Sequence, residues 1–145
     1  MTEIEIINET ARRINRDFIS EVVRKTIRLS KIRIKKANFS VIFASRAKIR
    51  SLNRVYRGKN EATDVLSFNY EAGYNGKSEK SIEGEIFLCS GIIAEQAKKN
   101  KINFDRELAF VLSHGVLHLL GMKHGEKMYG IQDEAAGPIK MKMKK

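Results

Sequence analysis

All three histidines of the chain fall within eleven residues, as His114, His118 and His124 in the run HGVLHLLGMKH. The first two lie inside Leu108–Met122, the longest stretch free of Asp, Glu, Lys and Arg. So apolar a stretch predicts a central helix over Phe104–Leu120. Residues four apart on a helix project from one face, one above the other. Gly121 then permits a left-handed exit from the helix, and that turn can bring His124 back as a third nitrogen donor. H-x3-H-x5-H is therefore the spacing of a three-imidazole metal site. Zn²⁺ with three protein ligands keeps a fourth position open to water, which is the catalytic pattern and not the closed structural one. The expectation is one zinc ion per chain, held by His114, His118 and His124, in a metal-dependent hydrolase.

The residue after His114 narrows the chemistry. Zinc proteases with H-E-x-x-H-x-x-G-x-x-H share this histidine spacing and place a glutamate base beside the first ligand. Here that position is Gly115, and no acid lies between His114 and His124. Peptidase activity is disfavoured. A glycine in a helix interior costs roughly 1 kcal/mol against alanine, so close helix packing or close approach by a substrate must explain it, and the sequence leaves both open. Glu107, two helical turns before His114, is either a supporting acid for the site or an ordinary helix-start residue.

Elsewhere the chain reads as alternating elements. Glu3–Ile7 alternates as a strand. Thr10 to about Ser30 carries Ile14, Phe18, Val22 and Ile27 at helical spacing. Phe39–Ala44 is a second strand, and Ser45 caps a basic helix with Ile49, Leu52 and Tyr56 on one side. Arg57–Thr63 is a polar loop, Asp64–Tyr70 a third strand, Glu71–Glu83 a long exposed hairpin loop and Glu85–Cys89 a fourth strand antiparallel to the third. Ile92–Asn100 and Glu126–Ala136 are further helices. The fold class expected is α/β (α+β mixed): a small mixed four-stranded sheet packed with about five helices. The metal site lies on the central apolar helix and the turn after it. Residues 1–136 are expected to form a single metallohydrolase domain, with 137–145 a basic, flexible tail.

Charge bears on the partner. Twenty-eight Lys+Arg against seventeen Asp+Glu give +11. An excess of that size fits a polyanion such as RNA, and equally a charge kept for solubility. The single cysteine, Cys89, excludes an internal disulfide. Leu108–Met122 falls short of the roughly 20 apolar residues a membrane span needs. With no basic-then-apolar leader at the start, a cytoplasmic protein with no membrane partner is expected.

The segment NRVYRGKNEATDVLSF, Asn53 to Phe68, puts Arg54, Arg57 and Lys59 at a helix end and in the loop after it. An arginine near zinc offers a planar fork that grips two phosphate oxygens and stabilises a pentavalent transition state. On pattern alone the segment reads first as a solvated loop, with Thr63 and Asp64 as caps and Leu66 and Phe68 as core, since Arg and Lys in loops are common.

HGVLHLLGMKH, taken with N-R-x-Y-R-G-K-x-x-x-T-D-V-L-S-F, resembles the YbeY family of bacterial rRNA maturation factors, and GEIFLC (Gly84–Cys89) resembles that family's G-D-I strand. The likeness runs from about residue 3 to 135. It implies a single-strand-specific, zinc-dependent endoribonuclease acting in 16S rRNA 3′-end maturation and ribosome quality control. Its partners would be small-subunit rRNA, the ribosomal subunit and ribosome-assembly proteins. It also implies that His114, His118 and His124 are the zinc ligands and that Arg57 is the catalytic basic residue of the cleft; Arg54 and Lys59, basic neighbours in the same segment, are the expected RNA contacts. Where the family usually has an aromatic and an aspartate before the third histidine, this chain has Met122 and Lys123. The family's acidic C-terminal helix gives way to a basic tail. The other reading of the same residues is a non-catalytic ribosome-assembly module that binds RNA or protein and holds a structural zinc.

Overall fold

The computed structural model describes residues 2–70 and 80–137. The elements are β1 (Thr2–Asn8), α1 (Arg16–Ser30), β2 (Ile34–Phe43), α2 (Arg46–Arg57), β3 (Val65–Asn69), β4 (Lys80–Leu88), α3 (Ser90–Asn100), α4 (Phe104–Leu119) and α5 (Glu126–Ala136). The strands form one sheet in the order β1-β2-β4-β3. β1, β2 and β4 run parallel, and β3 pairs antiparallel with β4, Val65 opposite Leu88 and Asn69 opposite Gly84. The expected mixed four-stranded sheet with five helices is what the described residues form.

Three boundaries differ from the sequence reading by more than two residues. α1 starts at Arg16 and not Thr10, because Asn8 Oδ1 accepts from the Thr10 amide and hydroxyl at 3.0 and 2.7 Å. That local turn competes with helix, and Asn15 becomes the cap, accepting from the Phe18 amide at 3.0 Å. β2 begins at Ile34, five residues ahead of the expected Phe39, since pairing with the start of β4, Ile34 opposite Lys80 and Lys36 opposite Ser81, carries its lysine-rich start into the sheet. β4 begins at Lys80, so the end of the supposed hairpin loop is strand; residues 71–79 of that loop lie outside the described residues. So does the expected tail beyond Gly137.

Two apolar layers sandwich the sheet. Alternation along β2 sends Val41 and Phe43 to one face and Ile42 and Ala44 to the other. The larger layer packs Val22 and Val23 of α1, Leu112 and Val116 of α4 and Met128 of α5 against Phe39, Val41, Ile86 and Leu88. The smaller one seats Ile49 of α2 against Leu66 and Phe87. Helix α4 touches α1, α3, α5, β3 and β4, and Leu108, Leu112, Val116, Leu117 and Leu119 are all buried. At about 1.5–3 kcal/mol for each fully buried leucine or valine, α4 is the most firmly anchored element available to carry a site. Thr26 of α1 reinforces the register, its hydroxyl 3.1 Å from that of Ser113, next to His114.

Packing explains Gly115. A Cβ there would lie 3.0 Å from Ile86 Cγ2, 3.1 Å from Ser67 Oγ and 3.1 Å from Val65 Cγ2. The glycine lets α4 lie directly on β3 and β4. Val65 and Ile86 are β-branched and stiff at χ1, so Gly115→Ala should gain about 1 kcal/mol of helix propensity and lose about 1–3 kcal/mol to overpacking. The expected result is a net loss of stability with a displaced His114, read by chemical unfolding. A variant more stable than wild type would contradict the packing account.

Candidate metal centre and its flanking clefts

Helix α4 ends in a pair of hydrogen bonds that reverse the chain. The Gly121 amide donates to the His118 carbonyl and the Met122 amide to the Leu117 carbonyl, both at 3.0 Å, with Gly121 left-handed at φ 88°. This is the Schellman arrangement, and the partly buried Met122 supplies its apolar contact with the core. Lys123, beside Met122, is exposed. The reversal returns His124 to the helix face that carries His114 and His118. The three Nε2 atoms then converge, at 2.9 Å for His114–His118, 3.1 Å for His118–His124 and 3.4 Å for His114–His124.

The trio could hold a metal ion, and two observations show that the donors fit one. Tetrahedral zinc with Zn–N bonds of about 2.0–2.1 Å needs ligand nitrogens about 3.3–3.4 Å apart, so the observed spacing asks for shifts of a few tenths of an ångström. Burial also lowers the pKa of His114, against the Gln132 side chain, which raises it, and with the His124 charge lowering it further. Burial lowers that of His118 too, followed by the charges of His114, His124 and Arg57. Both rings are thereby biased toward the neutral form that a metal requires.

That bias has a measurable sign. With folded pKa values below the ordinary 6.5, the unfolded chain binds more protons as pH drops below 6.5, so the two rings' contribution is intact above that pH and lost as pH falls through the folded values. Urea unfolding of the metal-free protein should show stability falling from pH 7.5 to 5.5, and falling less in a His118→Gln variant. Equal slopes would contradict the assignment of the loss to these rings.

Two clefts flank the trio. One, of about 440 Å³, is lined by Arg57, Val65, Ser67, Asn69, His114 and His118 among others. The Arg57 guanidinium donates to the Ser67 carbonyl and lies 5.3 Å from the centre of the Phe68 ring. It is thus held at the rim by β3. The second cleft, of about 690 Å³, has Lys59, Asp64, Lys99, Glu107, His114 and His124 in its walls. Arg57 and Lys59 therefore line different clefts, each of which includes His114, while Arg54 is exposed on α2 and lines neither cleft. A third groove, of about 530 Å³, crosses β1, β2 and β4 and carries Glu3, Glu5, Glu83 and Glu85. Its carboxylates would repel a polyanion.

Glu107 is buried and hydrogen-bonded to no histidine. Asn100 Nδ2 donates to its Oε1 at 3.2 Å. With the Gln96 amide nitrogen turned toward the two carboxylates, it donates to Asp64 Oδ2 and Glu107 Oε2, each at 3.3 Å. Burial raises the Glu107 pKa, the Asn100 hydrogen bond opposing and the Asp64 charge adding to the rise. Sequence reasoning passed over Ser67 and Asn69. Ser67 Oγ donates to the Gly115 carbonyl and Asn69 Nδ2 to the Leu119 carbonyl, both at 3.1 Å, which ties β3 to the histidine-bearing helix. Their signal was available: they sit at alternate strand positions to the core residues Leu66 and Phe68, where a simple amphipathic strand facing an apolar helix would be apolar too.

The fold and site define a class: small mixed α/β proteins whose central helix and following turn carry a three-imidazole centre beside an arginine-lined cleft. The family model described as Endoribonuclease YbeY matches residues 4–135. The chain belongs to the endoribonuclease YbeY family, whose members are enzymes named for cutting RNA. Endoribonuclease YbeY of Bdellovibrio bacteriovorus is 32% identical over 145 residues, covering 92% of each chain. That of Staphylococcus aureus is 37% identical over 107 residues, covering 67% of this chain and 69% of the relative. The solution structure of TM1509 from Thermotoga maritima superposes with a TM-score of 0.61 at 27% identity, over 94% of this chain and 88% of that one.

Proposed function

We propose that the protein is a zinc-dependent endoribonuclease that cuts single-stranded RNA in the maturation of the 16S rRNA 3′ end and in ribosome quality control. His114, His118 and His124 hold one zinc ion per chain, and Arg57 is the catalytic basic residue. Residues 1–136 form one metallohydrolase domain and 137–145 a flexible basic tail. The partners are small-subunit rRNA, the ribosomal subunit and its assembly proteins, in the cytoplasm. Among the described residues no helix is long and apolar enough to cross a membrane. The observation that carries the reading is the convergence of three Nε2 atoms within 3.4 Å of one another beside Arg57, in a chain of this family.

When bound, the ion supplies Lewis acidity and acidifies water at the scissile phosphate. The chain's own residues do the rest. His114 and His118, biased toward the neutral form by burial, offer lone pairs from the rigid α4, and the Gly121 turn aims His124 at the same point. Arg57 spends one donor on the Ser67 carbonyl and retains others, so its fork can take two phosphate oxygens and the charge that grows on them in the transition state. Lys59 holds the flanking backbone from the second cleft. Arg54, exposed on α2, contributes to the outer electrostatic field. A structural zinc in a non-catalytic module is less well supported, because closed structural sites use four protein ligands and the described residues gather three. A protease is less well supported still, since Gly115, packed against β3 and β4, stands where those enzymes carry their glutamate base.

Cleavage of one labelled RNA, single-stranded or annealed to its complement, tests the reading. The single strand should be cut, with affinity falling as salt rises in proportion to the phosphates neutralised, and the duplex should be spared. Equal cutting of both would overturn single-strand specificity, and no cutting of either would overturn the nuclease assignment.

A further inference from the structure

Gln132 is a polar residue in an apolar stripe. It is 1% exposed on α5, among the buried Met128, Ile131 and Ala135. Its amide nitrogen donates to the Phe110 carbonyl at 3.2 Å, and that contact decides which way the amide faces, because a carbonyl can only accept. The other end of the amide, Oε1, is buried and has no hydrogen-bond partner. A buried acceptor left unmet is costly and calls for an explanation. Phe110 lies one helical turn before His114, and Gln132 and His114 share a cleft wall. His114 Nε2 faces the other two histidines, so the ring nitrogen left for Gln132 is Nδ1.

We propose that Gln132 is a positioning residue of the metal centre: its Oε1 accepts a hydrogen bond from His114 Nδ1–H and holds that imidazole in the tautomer whose Nε2 lone pair points at the ion. The inference rests on the reading of the three histidines as metal ligands. A metal-bound histidine almost always donates its second ring N–H to a carboxylate, a carbonyl or water, which fixes tautomer and orientation. Among the described residues no carboxylate is hydrogen-bonded to any of the three rings, and Lys123, in the turn where a carboxylate would be expected, is a cation directed to solvent. A side-chain amide carbonyl fills the role. The clamp spans one turn of α4, with Nε2 on the Phe110 carbonyl and Oε1 toward the ring four residues on. In the metal-free protein His114 Nε2 then accepts, and His118 donates across the shortest contact, 2.9 Å.

The competing account is that Gln132 serves only the Phe110 carbonyl. Ring ¹⁵N shifts of metal-free wild type, Gln132→Met and Gln132→Glu report the His114 tautomer, and competition with a chromogenic chelator gives Zn²⁺ affinity. We expect the Nδ1–H tautomer in wild type, a shift toward Nε2–H in Gln132→Met with zinc bound about 10–100-fold more weakly, and Gln132→Glu close to wild type in both, because it keeps the acceptor. A wild-type His114 in the Nε2–H form overturns the proposal, and so does a Gln132→Glu variant that loses as much affinity as Gln132→Met. If Gln132→Met fails to fold, the wild-type tautomer and the glutamate variant decide. A wild type that takes up no zinc sinks the metal reading instead, and the hydrogen bond is then judged on the tautomer alone.

Discussion

His118→Ala is expected to lose stoichiometric metal and RNA cleavage together, with single-turnover rates down by about 10³-fold or more, as when a catalytic unit loses an essential member. No substitute ligand stands ready, because the three histidines are the cluster with metal-holding geometry among the described residues. The fold should survive. His118 is only partly buried, at the last turn of a helix anchored by the leucines around it, and alanine is the better helix former. Elemental analysis, circular dichroism and cleavage on one preparation check this. A folded, metal-free His118→Ala protein that cleaves at the wild-type rate would remove the trio from the chemistry.

Arg57→Ala is expected to lower the cleavage rate by about 10²–10³-fold, the usual cost of one preorganised donor at developing charge, while the metal content stays at the wild-type level. Arg57→Lys should recover little of it. An ammonium cannot present a planar fork, and it would lose the geometry by which the guanidinium holds the Ser67 carbonyl and lies over the Phe68 ring. Stability should move by only about 0.5–1 kcal/mol, the range of an exposed cation–π contact. The pair of variants separates two roles. A residue that merely shaped the loop would shift stability and rate alike and would be rescued by lysine, whereas an oxyanion-stabilising residue affects rate alone and is not. Single-turnover rates and urea midpoints for both variants provide the check.

How much of this could be read from the amino acids varied by element. The histidine spacing, Gly121 and the uncharged Leu108–Met122 stretch announced α4, its exit turn and the convergence of three rings, because each is a local rule of helix geometry. Strand β2 was half-visible. Phe39–Phe43 reads as a strand on its own, but Ile34–Lys36 carries lysines and enters the sheet through its pairing with β4. The start of α1 was misjudged because helical periodicity reaches back to Ile14 while the Asn8–Thr10 turn, a matter of one side chain, keeps the backbone out of helix. Arg57 was legible through family likeness and not through pattern, since nothing local distinguishes it from Arg54. The difference is tertiary: β3 folds back beneath the end of α2 and presents the Ser67 carbonyl to one and not the other. Gln132 was invisible for the same reason. Its partner lies 22 residues away on another helix, and a glutamine on an amphipathic helix carries no mark of its direction.

The most direct test of the account follows one purified sample through metal removal and return. Zinc content and the rate of single-stranded RNA cleavage are measured as isolated, after a strong chelator and its removal, and after addition of one equivalent of Zn²⁺. The account predicts one ion per chain at the start, parallel loss of ion and activity, and parallel recovery. Undiminished cleavage by protein stripped of metal, or full zinc occupancy with no cleavage in any state, would contradict it.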